Sequence, residues 1–204
     1  MTPHIMPSIW CALRTFAEHA KEMGGKPLSS PRFFLKPWAA LTQPPLGCEL
    51  QLPSHLEQVH HEVELVLKLG ENQRVSEIAV GLDLTDRMTQ TIAKSEGMPW
   101  TQSKGFANSA IIGNFCEVPA DITHLRLELT INGEPRQSAS IGEMSFSPLE
   151  LISNLSQWAP LEMGDLLFCG TPSGVGPLNR KDHAKARLLS EDGAVISELD
   201  LIMA

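Results

Sequence analysis

Residues 62–85 read EVELVLKLGENQRVSEIAVGLDLT, and the alternation at their two ends decides the fold. The run EVELVLKLG has strand character and closes on Gly70, VGLDLT is a second apolar run, and TDRMTQTIAKSEG continues as a helix with Thr85 as its expected cap. In a strand, side chains two apart share a face, so Glu62 and Glu64 emerge together while Val63 and Leu65 point the other way. Asp83 ends the following apolar run just before the helix. If the two strands are neighbours, three carboxylates converge, which a partly dry site tolerates only with a cation between them. An all-oxygen ligand set selects a hard ion, Mg²⁺ first, then Mn²⁺ or Ca²⁺. The same spacing also describes the solvated face of an ordinary alternating strand, and spacing by itself leaves both readings open. Zinc is disfavoured, because HHEVE lacks the second histidine of an HExxH helix.

Working outward, fifteen prolines and fifteen glycines lie scattered between short apolar runs, a pattern of many strands and turns with few helices. SIWCAL reads as a short strand. The helical turns of RTFAEHAKEMGG follow, with Phe16, Ala17, Ala20 and Met23 at helix spacing and Gly24-Gly25 as the stop. His19 and Glu22 share one face there, as a base oriented by a carboxylate or as a plain surface pair. Lys26 to His55 is rich in proline and reads as a long covering loop, with RFFLKP its one good strand. LRLELTING turns at Asn132-Gly133 into a hairpin. Ser147-Pro148-Leu149-Glu150 is a capping box opening a helix to about Trp158. LLFC, the loop GTPSGVGP and a terminal hairpin around Asp192-Gly193 complete the chain.

Two further stretches could carry chemistry. Lys104 in TQSKGFANSA is flanked by small residues and could be drawn inward toward a substrate anion, although a lone lysine is commonly a surface residue. The GTPSGVG loop offers consecutive amides and the Thr171 hydroxyl for a carboxylate or oxyanion, or is a tight structural turn. It has no GxxxxGK[ST] spacing; GxGxxG and GxSxG are absent as well.

The chain has 204 residues, a length suited to one domain over 1–204. Sixteen Lys and Arg against 24 Asp and Glu give a formal charge of −8, which disfavours nucleic acid and anionic lipid as partners. No apolar run reaches the roughly 18 residues of a membrane span, and residues 1–13 lack a basic start followed by an apolar core. A cytoplasmic protein is expected. Cys11, Cys48, Cys116 and Cys169 form no CxxC pair, so a zinc ribbon or thioredoxin-type site is not expected.

In order, HxxE near the start, ExE, DLTDR, KGF, NGEPRQ, FSPLELI and GDLLFCGTPSGVGP resemble the fumarylacetoacetate hydrolase family over nearly the whole chain, most of all its short, single-domain, acylpyruvase-like branch. The resemblance implies a mixed, mainly β fold of that family's roll or sandwich type with a few short helices, and a homodimer. It implies a divalent ion on Glu62, Glu64 and Asp83, a lysine at Lys104, a histidine–glutamate pair at His19 and Glu22, and substrate-carboxylate groups at Arg87, Gln90 and Thr171. The expected activity is Mg²⁺-dependent cleavage of a carbon–carbon bond in a small acylpyruvate-type 2-oxo acid through an enolate. The same enolate would serve an oxaloacetate tautomerase or decarboxylase, or a hydroxymuconate-type isomerase. A non-catalytic keto-acid-binding protein is the remaining alternative, motivated by departures from the family pattern. Met88 replaces a second acid, Trp38 replaces a small residue and would narrow the cavity if it faced it, and Thr15-Phe16 stands where asparagine-tyrosine is common.

Overall fold

The structure is a computed structural model that describes residues 6–22, 24 and 28–204. Met23 and Gly25, invoked above for the first helix and its stop, lie outside the described residues, as do residues 1–5 and the side chain of Ala20. Strands predominate. A seven-stranded sheet orders Phe33–Lys36, Ile9–Ala12, Leu166–Phe168, Val63–Leu69, Val75–Asp83, Ala110–Ile112 and Leu41–Thr42. A five-stranded sheet orders Glu134–Ser140, Arg126–Ile131, His183–Leu189, Val195–Met203 and Cys48–Leu50, and a small third sheet joins Gly176–Pro177, Val59–His61 and Thr85–Asp86. Four α-helices are present among the described residues: α1, Ala17–Glu22; α2, Arg87–Glu96; α3, Thr101–Lys104; and α4, Pro148–Leu155.

The strand Val63–Leu69 lies in the middle of the larger sheet and is covered on both faces. Val63, Leu65, Leu67 and Leu69 enter the main core with Val80 and Leu82 from its neighbour and Leu127, Leu129, Leu188 and Leu201 from the five-stranded sheet. Val66, on the opposite face, joins a smaller cluster with Ile9, Cys11, Ile112 and Phe168. Pairing with Val75–Asp83 is antiparallel, with Val63 opposite Leu82 and Glu64 opposite Gly81. The Asp83 N–H donates to the Glu62 carbonyl at 2.9 Å, extending that register by one step. Side chains directly opposite in a ladder share a face, so Glu62, Glu64 and Asp83 fall together on the face away from the main core. Gly81 sits opposite Glu64 because nothing larger fits: a Cβ there would lie 2.5 Å from Val66 Cγ2 and 2.8 Å from Phe168 Cε1.

Several local expectations hold and several change. Asn132 and Gly133 both take positive φ, 54° and 81°, as a two-residue hairpin requires. The Ser147 capping box forms, but α4 ends at Leu155, and Trp158 beyond it stacks edge-on against Trp10 with centroids 5.6 Å apart. The cap of α2 is Asp86, whose carboxylate accepts from the Thr89 N–H at 3.3 Å and from its hydroxyl, while Thr85 belongs to the small sheet. The stretch from Lys26 to His55 is more than a covering loop. It supplies Phe33–Lys36, Leu41–Thr42 and Cys48–Leu50, strands too short for periodicity to reveal, and they border all but one edge of the two larger sheets. Trp38 packs against the smaller core cluster with Leu41 and Phe115.

Candidate active site

Ligand atoms of Glu62, Glu64 and Asp83 all lie within 4.8 Å of one another, and the three residues are 8%, 1% and 1% exposed. Such a set is viable only because cations surround it. Lys104, at the end of α3, donates to Glu62 Oε2 at 2.8 Å and to Asp83 Oδ2 at 2.6 Å. Arg87, at the start of α2, donates to Glu62 Oε1 at 2.9 Å and to Gln90 Oε1 at 2.6 Å, and the Thr85 hydroxyl donates to the same Glu62 oxygen at 3.0 Å. Burial opposes ionisation of Glu62, but Lys104 and Arg87 outweigh it and hold its carboxyl down at about 2. Burial, then Asp83 and Glu62, push the Glu64 carboxyl well above the usual range. Lys104 is drawn down by burial, yet Asp83 and Glu62 raise it above an ordinary lysine.

A second lysine, which sequence reasoning did not single out, closes the site from below. Lys36 is 2% exposed, and its Nζ lies 2.7 Å from Asp83 Oδ1. Its protons are directed elsewhere, at the carbonyls of Leu84 (3.1 Å), Lys104 (2.5 Å) and Ser109 (2.9 Å). Asp83 Oδ1 therefore has this ammonium as its close partner, in an ion pair without well-aligned hydrogen-bond geometry. The oxygen-only donor set and the close spacing fit a hard divalent cation held by Glu62, Glu64 and Asp83.

Above the carboxylates, His19 of α1 is 8% exposed, with Nδ1 3.2 Å from Glu22 Oε2. Glu22 also accepts from the Gly174 N–H, at 3.2 and 3.3 Å. Gly170 N–H donates to Glu64 Oε2 at 2.6 Å. These two amides of GTPSGVG thus serve the site's own carboxylates, whereas the sequence offered them to an incoming anion; the Thr171 side chain keeps that possibility, since it lines the cavity. Gly174 cannot be replaced, because its φ is +94° and a Cβ would lie 2.1 Å from the Arg136 carbonyl oxygen. Gln137, also not singled out, is 2% exposed and ties the parts together. Its Oε1 accepts from the Val63 N–H at 3.0 Å and contacts His61 Nδ1 at 3.1 Å, while its Nε2 donates to Thr171 Oγ1 at 2.8 Å and to the Pro172 carbonyl at 2.9 Å.

Of the nine residues expected at a site, all but Glu22 line one cavity of about 50 Å³, and Glu22 stands behind His19. The cavity suits a small ligand. Its aromatic wall is Phe34 and Trp100. Trp38 and Met88 are absent from the lining, and Met88 is 44% exposed, so neither departure reaches the cavity. Thr15 and Phe16 are buried, with the Thr15 hydroxyl donating to the Cys169 carbonyl at 2.7 Å. Among the described residues, no helix is long and apolar enough to cross a membrane.

A mainly β scaffold thus gathers a buried carboxylate trio, with the donor chemistry of a hard-cation site, and a histidine–glutamate pair around one cavity. Residues 8–202 match the family model for the fumarylacetoacetate (FAA) hydrolase C-terminal region, and the chain belongs to the fumarylacetoacetate hydrolase family. It is 38% identical over 200 residues to the mitochondrial oxaloacetate tautomerase FAHD1 of Mus musculus, covering 92% of this chain and 88% of that protein. It is 36% identical over 177 residues to the mitochondrial oxaloacetate decarboxylase of Dictyostelium discoideum, covering 81% of each. The fold superimposes on the fumarylpyruvate hydrolase of Pseudomonas aeruginosa, a crystal structure in complex with Mn²⁺ and pyruvate, with a TM-score of 0.87, 31% identity, and coverage of 98% of this chain and 91% of that one.

Proposed function

We propose that this protein is a divalent-metal-dependent enzyme acting on small 2-oxo acids by enolate chemistry, with oxaloacetate tautomerisation or decarboxylation its main reaction. The observation that carries the reading is the convergence of three buried carboxylates below a histidine–glutamate pair in one small cavity. Glu62, Glu64 and Asp83 would hold Mg²⁺ or Mn²⁺, and the bound ion would supply Lewis-acid polarisation of a 2-oxo group. Lys104 places a permanent positive charge at the carboxylates, where it stabilises negative charge developing on the substrate oxygen. Arg87, Gln90 and Thr171 orient the substrate carboxylate. Glu22 holds His19 through Nδ1, which leaves Nε2 to take a proton from the carbon next to the 2-oxo group and return it. The oxaloacetate relatives at 36–38% identity support this choice.

A second reading, hydrolytic carbon–carbon cleavage of an acylpyruvate, rests on the same His19 taking its proton from water and on the likeness to a fumarylpyruvate hydrolase. Non-catalytic binding loses its motive, since Met88 and Trp38 lie away from the cavity. Purified protein supplied with Mg²⁺ or Mn²⁺ should accelerate decay of the enol absorbance of oxaloacetate, or release pyruvate from it. Pyruvate release from acylpyruvates alone would select the second reading, and turnover of neither class would overturn both.

A further inference from the structure

The partners of Gln137 fix which end of its amide faces which neighbour. The Val63 N–H can only donate, so the atom 3.0 Å from it is the carbonyl oxygen Oε1; the Pro172 carbonyl can only accept, so the atom 2.9 Å from it is the nitrogen Nε2. The remaining lone pair of Oε1 meets His61 Nδ1 at 3.1 Å, and the remaining proton of Nε2 goes to Thr171 Oγ1 at 2.8 Å. All four hydrogen-bonding positions of this buried amide are thereby filled, and it cannot turn over without losing them. Thr171 is 3% exposed and lines the cavity of the carboxylates. Its hydroxyl accepts from Gln137 and, among the described residues, donates to no protein group. The single hydroxyl proton is left for the cavity. Gln137 reaches this point from Glu134–Ser140 of the five-stranded sheet, where it pairs with Leu129, while Val63 belongs to the seven-stranded one. It does not line the cavity itself.

We infer that Gln137 is a positioning residue, which makes the Thr171 hydroxyl a fixed donor toward the substrate carboxylate without touching the substrate. The inference rests on the proposed reading of the site, in which Thr171 binds that carboxylate, and it names the group that sets the hydroxyl's direction. Without the Nε2 donor the hydroxyl rotates, and a lone pair meets the anion as readily as the proton does.

The test is a double-mutant cycle on equilibrium binding of pyruvate to the full chain loaded with Mg²⁺, measured by calorimetry. Gln137→Glu keeps the acceptor for Val63 and His61 but has nothing to donate to Thr171, whose hydroxyl then turns toward the new carboxylate. It should weaken binding roughly tenfold more in the Thr171 protein than in the Thr171→Val background, where only its added charge acts. Gln137→Met adds no charge and carries the cycle should the first variant fail to fold; it should cost about threefold with Thr171 present and nothing measurable in the Thr171→Val background. Thr171→Ser retains the hydroxyl and should retain both the affinity and the sensitivity to Gln137→Glu. Losses of equal size in the two backgrounds overturn the positioning role, since a merely structural glutamine acts whether or not the hydroxyl is there. Such a result alongside pyruvate binding and turnover of 2-oxo acids leaves the proposed function standing, whereas no binding together with no turnover removes both.

Discussion

Two lysines in this molecule each sit between two carboxylates, and they differ almost only in their surroundings. Lys185, on the outer face of the five-stranded sheet, lies 3.3 Å from Glu198 and 3.1 Å from Asp200, with a side chain 36% exposed. Lys104 lies 2.8 Å from Glu62 and 2.6 Å from Asp83, with a side chain 3% exposed. Both ammonium groups are shifted upward. Side-chain hydrogen bonds to Asp200 and Glu198 do this for Lys185, while for Lys104 the attraction of Asp83 and Glu62 must first overcome burial. Water screens the outer cluster, which stays a solubilising surface feature. The inner cluster cannot be screened, so any imbalance of charge must be met by protein, proton, metal or substrate. The same side chains become chemistry when a second layer covers them.

The comparison can be broken at the inner lysine. Lys104→Met should lower turnover by about 10²–10³-fold and, in metal-free protein, lower unfolding free energy by about 3–5 kcal/mol in urea denaturation. The stability loss should shrink when Mg²⁺ is added, because the cation takes over the neutralisation; a loss unaffected by Mg²⁺ would argue against metal at these carboxylates. Chelation comes next. Removing the metal should abolish turnover reversibly and lower stability by about 2.7 kcal/mol when the free ion had stood at about 100 times its Kd. Gln137→Ala should have a smaller effect, about 1–3 kcal/mol, through the unsatisfied Val63 N–H and Thr171 hydroxyl, with KM rising more than kcat falls. At the far end, Lys185→Met should change neither the denaturation midpoint nor KM measurably.

What could be read from the chain was local and periodic. Glu62 and Glu64 share a face because a strand alternates, and the hairpin at Asn132-Gly133 and the capping box at Ser147 follow from residue chemistry within a few positions. Asp83 needed one non-local fact, the register that sets Val63 against Leu82. Lys36 needed several. Its strand is placed by antiparallel pairing to Ile9–Ala12, itself parallel to Leu166–Phe168, and no periodic signal reports a contact across more than 150 residues. A hint existed in the spacing of Phe34 and Lys36, two apart in a short apolar strand, which puts the lysine on the same face as an aromatic of the cavity wall. Gln137 gave no local sign, since all four of its partners lie 34 to 76 positions away. Asp86, one residue beyond the expected Thr85, caps α2, because Thr85 is drawn into pairing with His60 and onto Glu62.

Glu22 couples two jobs that are separable in principle. The carboxylate that steadies the His19 ring is the one that the Gly174 N–H engages from the opposite loop. One carboxylate therefore both orients the imidazole and ties the six-residue α1 to the loop that also carries Thr171. A substitution at position 22 would disturb the ring's orientation and the seating of α1 together.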